Sequence, residues 1–219
     1  MKDFSIKEAL SYGWDLFKKN KKVLILSTLI FCIFNSGMEN NFVISILFMI
    51  VGIFIQIGWY KMLFNLMSGH GVRIKELFLH GRLFLKYLGA LVIFIIVLSL
   101  PLAGLALALV LIGFSNPLII AVGVAVTILS VAISMYLGIR YQFALVLIID
   151  KEIGIKEAFK TSSSMTEGVK FKLLGLFMIM AIINIIGVLA LLVGTLVALP
   201  VSTLAYLSIY KKLYHAKTV

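Results

Sequence analysis

The chain has 219 residues, 62% of them hydrophobic and 13% charged, far from the roughly 45–50% apolar and about 25% charged of soluble domains. That much apolar surface exceeds what the chain can hide in a core of its own, which excludes a water-soluble globule and makes lipid the solvent for most of it. The net charge of +11 does not indicate nucleic acid, because the 20 Lys and Arg are dispersed between apolar runs with no base-stacking domain; anionic membrane head groups are the matching counter-charge.

The N-terminal stretch MKDFSIKEALSYGWDLFKKN carries acids and aromatics and is followed by no small-residue cleavage site, so it is expected to stay on the mature protein. Ser5 and Glu8 have capping-box spacing, which predicts a helix starting at Ile6. Its apolar face is Ile6, Ala9, Leu10, Gly13, Trp14 and Phe17, and its polar face is Lys7, Glu8, Ser11, Asp15 and Lys18. Such a helix suits the head-group plane, and it suits equally an elbow packed under a bundle.

Apolar runs bounded by turn signals predict six crossings, near 23–38, 42–60, 86–111, 117–139, 170–186 and 189–210, a helix needing ~20 residues to span ~30 Å of hydrocarbon. Lys18, Lys19, Lys21 and Lys22 precede the first crossing. Lys61, Arg73, Lys75, Arg82 and Lys86 flank the second connection, and Arg140, Lys151, Lys156, Lys160, Lys170 and Lys172 flank the fourth. Lys211, Lys212 and Lys217 follow the last, while the connections near 35–41, 112–116 and 187 hold no Lys or Arg. The positive-inside rule then places both termini in the cytoplasm, in a multi-pass protein of the inner (plasma) membrane.

Ile6-Lys7-Glu8-Ala9, Ile74-Lys75-Glu76-Leu77 and Ile155-Lys156-Glu157-Ala158 each stand before a pair of crossings. An apolar residue lies two positions before each (Phe4, Val72, Ile153), and a small one seven after (Gly13, Gly81, Ser162). The expected fold is all-α: a single membrane domain over 1–219 made of three units, about 4–70, 71–152 and 153–219, each an interfacial helix plus a transmembrane hairpin. These repeats are parallel, which argues against the inverted-repeat rocking carriers.

Glu8-Ala9-Leu10 through Gly13-Trp14, Phe17 and Asn20, with Tyr141, Asp150, Glu157-Ala158, Ser162-Ser163 and Gly168 in the last third, carry a resemblance to a family. The chain resembles uncharacterised bacterial and archaeal multi-pass membrane proteins related to the membrane domain of glycerophosphoryl diester phosphodiesterases. The resemblance covers most of the chain in hydropathy and is specific in those two segments. It implies a six-helix membrane fold and brings no hydrolase activity, since no phosphodiesterase segment accompanies these crossings.

Catalytic chemistry finds little to work with. Cys32 is the only cysteine, which rules out an intramolecular disulfide and a multi-cysteine metal site. His70, His80 and His215 are scattered, and no metal-ligating helical pair or phosphate-binding glycine loop occurs. Asp150 and Glu152 are close in sequence, and a turn before a helix, where carboxylates favour the dipole, accounts for them. Gln56 and Asn184 are polar within apolar runs, as interhelical hydrogen bonds or as the lining of a route. Arg140 falls ~18 Å from the centre of its crossing, beyond the ~15 Å half-thickness, and reads as an anchor. Ala190, Gly194, Ala198 and Ser202 form a small-residue stripe suited to close packing within the chain or to a homodimer seam, in a helix that Pro200 interrupts.

No catalytic residue, cofactor or metal is expected. The leading expectation is a non-enzymatic membrane protein that organises or senses lipid, or supports a membrane complex, with anionic lipid as its partner. Its head-group candidates are Lys18, Lys19, Lys21, Lys22, Arg82, Lys86, Arg140, Lys170 and Lys172. The alternative is a small transporter or channel for an apolar or lipid-like substrate, lined by Gln56 and Asn184. A membrane enzyme comes third, and would need Asp150, Glu157, His70 or His80 around one pocket.

Overall fold

A computed structural model of the chain describes residues 4–35, 41–113 and 116–218, and all regular structure among them is helical. Helix α1 (Ile6–Lys19) starts where Ser5 caps it, the hydroxyl accepting from the Glu8 N–H at 3.3 Å. It stops at Asn20, whose side-chain amide donates to the Leu16 carbonyl. Its buried stripe, Ala9, Gly13 and Phe17, lies against α9 (Leu191–Thr218) rather than lipid. At Gly13 the approach is so close that a Cβ would sit 2.5 Å from the Val201 carbonyl oxygen. The elbow is thus realised on one face, while Tyr12, Trp14 and the lysines stay exposed on the other.

Among the described residues five helical stretches are long and apolar enough to cross a membrane, the build of a multi-pass protein. They contain α3 (Phe42–Met67), α4 (Phe84–Ile112), α5 (Pro117–Tyr141), α8 (Lys170–Leu189) and α9. Asn41 caps α3, accepting from the Val43 and Ile44 N–H groups, and Asn116 caps α5 ahead of Pro117. The first expected crossing coincides with α2 (Lys21–Asn35), which has 15 residues; at ~1.5 Å per residue it falls short of ~30 Å. The remainder of that crossing, 36–38, lies outside the described residues.

The second expected interfacial helix differs from the other two. Ile155–Thr166 forms α7, but Ile74–Phe78 and Gly81–Leu83 are short 3-10 turns. The cause is contact: Gly58 of α3 meets the Leu77 main chain with no room for a Cβ between them. Pressed on α3 and bounded by Gly71 and Gly81, this stretch has no space for an α-helical cylinder of ~10 Å diameter.

The fourth connection holds another departure, a buried helix α6 (Ala144–Lys151), where the sequence suggests only a loaded loop. Ala144, Leu147, Ile148 and Ile149 are fully buried, packed among α3, α4 and α7. Around them gather Leu24, Trp59, Leu63, Phe143, Leu173, Leu204 and Tyr210, so the core sits at the end of the bundle that carries the Lys and Arg, hereafter the basic end.

Toward the opposite, distal end the hairpins α2–α3, α4–α5 and α8–α9 pack mainly on themselves. Each closes on a small residue: a Cβ at Gly52 would lie 2.9 Å from the Phe34 carbonyl oxygen, one at Gly104 2.6 Å from Ser130 Oγ, and one at Gly187 2.7 Å from Ala198 Cβ. Their outer faces present exposed apolar side chains such as Leu47, Ile95, Ile128 and Ile185, as lipid solvation requires.

Candidate functional site

The polar groups of the basic end fall into three arrangements. The first centres on Glu152, which ends α6 with φ +57°, its N–H still donating to the Ile148 carbonyl at 3.1 Å. A non-glycine residue in that left-handed conformation costs about 1–2 kcal/mol. Cations over-determine it. Lys61 Nζ donates to Oε1 at 2.8 Å, Arg82 Nη2 donates to Oε1 and Oε2 at 3.0 and 2.9 Å, and Lys86 Nζ donates to the Glu152 carbonyl at 2.7 Å. The Lys61 hydrogen bond, helped by Arg82 and opposed by desolvation, holds the Glu152 carboxyl below the ordinary glutamate range.

The two acids expected before a helix therefore do something else. Asp150 lies in the last turn of α6, where its Oδ2 accepts from the Tyr210 hydroxyl at 2.8 Å and from Lys151 Nζ at 3.2 Å. Both end α6 at its negative pole, which the dipole disfavours; neighbouring cations offset this. Their partners differ, so they form no shared acid–base pair.

The second arrangement closes the break between α5 and α6. Ser162 Oγ accepts from the Phe143 N–H at 3.1 Å and donates to the Arg140 carbonyl at 3.0 Å, while the Thr166 hydroxyl lies 3.3 Å from that same carbonyl. Buried backbone groups freed by a helix break need such partners. Ser162, part of the sequence resemblance, has this structural task.

In the third, two cations meet on one phenol. Tyr136 is exposed; its hydroxyl accepts from Lys170 Nζ at 3.0 Å and from Arg140 Nη1 at 3.3 Å. The Lys170 ammonium also sits 4.2 Å from the Tyr136 ring centroid. Arg140 Nε donates to Ser163 Oγ at 2.7 Å, which fixes the guanidinium. None of these contacts of Arg140 and Lys170 is to a carboxylate.

Two apolar cavities, each about 500 Å³, open between hairpins. One, between α5 and α8 with Tyr60, Phe94, Thr203 and Tyr206 behind, is lined by Met135, Gly138, Ile139, Gln142, Leu174, Phe177 and Met180. Gln142 Nε2 donates to the Ile139 carbonyl, and its Oε1 is buried without a hydrogen-bond partner. The other runs between α2–α3 and α4 and includes Phe34, Ser45, Met49, Gln56, Leu88 and Ile95.

The head-group candidates from sequence thus divide. Arg82 and Lys86 are committed to Glu152, and Lys18 pairs with Asp15 at 2.9 Å. Lys19, Lys21, Lys22 and Lys172 are exposed, and Arg140 and Lys170 converge on Tyr136. Gln56 lines a cavity, whereas Asn184 Nδ2 donates to Ser202 Oγ at 3.1 Å and to the Met180 carbonyl at 2.7 Å, tying α8 to α9. Within the stripe, Gly194 and Ala198 meet Gly187 of the same chain. Among the described residues no three of His, Cys, Asp and Glu gather to hold a metal ion. His80 Nδ1 lies 3.1 Å from the Glu76 carbonyl, while Glu76 accepts from Asn65 Nδ2 at 2.8 Å. Sequence reasoning missed Tyr136, because Lys170, one of its two partners, lies 34 positions away, and Gln142, whose place in the cavity wall depends on the packing of α8 beside α5. Comparison with protein-family models, curated proteins and solved structures finds no match to this chain.

Proposed function

We propose that the chain is a non-enzymatic membrane protein that organises or senses anionic lipid at its basic end, in the inner membrane with that end and both termini cytoplasmic. Six crossings in three hairpin units, with α2 and its continuation as the first, make up the proposed topology. Kinship with the membrane domain of glycerophosphoryl diester phosphodiesterases belongs to the same proposal and rests on the residue resemblance alone. The observation that carries the reading is the placement of charge: Lys19, Lys21 and Lys22 are exposed where α1 meets α2, beside an α1 face bearing Tyr12 and Trp14. Each such cation contributes about 1 kcal/mol toward an anionic leaflet, screened by salt. Native mass spectrometry of the purified protein tests it. Preferential retention of phosphatidylglycerol or cardiolipin over phosphatidylcholine is expected, and equal retention of both overturns the reading.

A second reading, movement of an apolar or lipid-like substrate, is favoured by Gln56 on the wall of the cavity between α3 and α4. Its test is the rate at which fluorescent lipid crosses proteoliposome bilayers. Acceleration by the protein that Gln56→Leu abolishes would promote this reading over the first.

A further inference from the structure

We propose that the cleft between α5 and α8 is a built site for one anionic phospholipid, with its phosphate on Arg140, Lys170 and Tyr136 and an acyl chain in the adjoining cavity. The proposal deepens the lipid reading above and rests on it. Two cations donating to one neutral hydroxyl is an arrangement the chain itself leaves electrostatically incomplete, since both donors repel and the acceptor carries no charge. A phosphate has the charge and the several acceptor oxygens to bridge an ammonium and a guanidinium this close together. The guanidinium is pre-oriented by Ser163, so less freedom is lost when the anion arrives.

Register places this cradle at the cavity's edge. Lys170 stands one helical turn before Leu174 on α8, and Tyr136 stands three positions before Ile139 on α5, so each shares a face with a residue of the cavity wall. The walls farther in, Phe94, Phe177 and Met180, are apolar, and about 500 Å³ is room for an acyl segment. Charge at the rim and hydrocarbon inside is the pattern of a phospholipid, and it separates this place from Lys19, Lys21 and Lys22, which line neither of the two apolar cavities.

The experiment is native mass spectrometry of the full chain titrated with phosphatidylglycerol and, separately, phosphatidylcholine, with thermal melting as a check that each variant is folded. Wild type is expected to hold one phosphatidylglycerol more firmly than the rest, and R140Q/K170Q to weaken that single binding event about tenfold or more. Gly138→Phe, or Met180→Trp where the first does not fold, should weaken it with both cations intact, whereas K19Q/K21Q/K22Q should leave it unchanged. If K19Q/K21Q/K22Q lowers retention and R140Q/K170Q does not, this site is overturned and the broader lipid reading stands. Retention indifferent to both cavity-filling variants overturns the placement of the chain in the cavity. Equal binding of the two lipids by wild type overturns both proposals together.

Discussion

The basic and distal ends of this bundle are made from the same apolar alphabet and are built in opposite ways. At the basic end α3, α4 and α7 pack on α6, and side chains from Phe4 to Leu213 are buried within the protein. At the distal end each hairpin closes on a glycine and shows its remaining apolar side chains outward. Lipid tails are as apolar as leucine, so outside the buried core nothing drives helices together except close fit and hydrogen bonds. The contrast teaches that hydrophobicity alone does not mark the core of a membrane protein; the packed region lies where charged and hydroxyl groups need partners.

Truncation separates the two regions most strongly. Phe143→Ala, in the core beside Tyr206 and Tyr210, should destabilise the protein by about 3–5 kcal/mol. Ile128→Ala, 65% exposed on the distal half, should change stability by less than about 0.5 kcal/mol. Comparable losses in reversible unfolding in mixed micelles would abolish the distinction.

Next comes the charge that organises the packed end. Glu152→Gln leaves the half-buried Lys61 without its anion and should cost about 1–3 kcal/mol, discounted because Arg82 is well exposed. The sign with pH follows from the lowered carboxyl. Its stabilisation is complete above the unfolded-state value near ~4.3 and is lost as pH falls through the lower folded-state value. Melting curves of wild type and Glu152→Gln should therefore converge on acidification.

A smaller and more local effect is expected at the distal hairpin. Gly187→Leu places a side chain where Gly194 and Ala198 approach, at a cost of about 1–3 kcal/mol, part of it relieved by hairpin splaying. Cysteine pairs introduced across α8 and α9 should crosslink more slowly in this variant, while the basic end keeps its protection from hydrogen exchange. Smaller than this, Asn184→Val removes the tie to Ser202 and should cost about 0.6 kcal/mol. A loss several times larger would mean that distal packing depends on hydrogen bonds more than on small-residue fit.

Much of the distal half was legible in the sequence because its determinants are local. Uncharged runs and the stripe at Ala190, Gly194 and Ala198 act within one helix or between neighbours. The basic end was less legible for the opposite reason. Helix α6 is six apolar residues, an acid and a lysine, Ala144 to Lys151, and a short run buried by other helices has no periodicity to betray it. The 3-10 form of Ile74–Phe78 is imposed by Gly58, sixteen positions earlier. The convergence of Arg140 and Lys170 on Tyr136 joins residues 34 positions apart, a distance at which no motif operates.

The contact of α1 with α9 has a consequence for synthesis. The ribosome delivers α1 first among the described helices and α9 last, yet Gly13 packs against the main chain of Val201 and Ala205, and α9 also touches α2, α7 and α8. Earlier helices must therefore wait in the membrane with their mutual faces bare until the final one enters. A nascent chain stalled before residue 191 leaves Phe17, Leu24 and Phe143 without the cover of α9, apolar surface of the kind by which chaperones and proteases recognise incompletely folded chains.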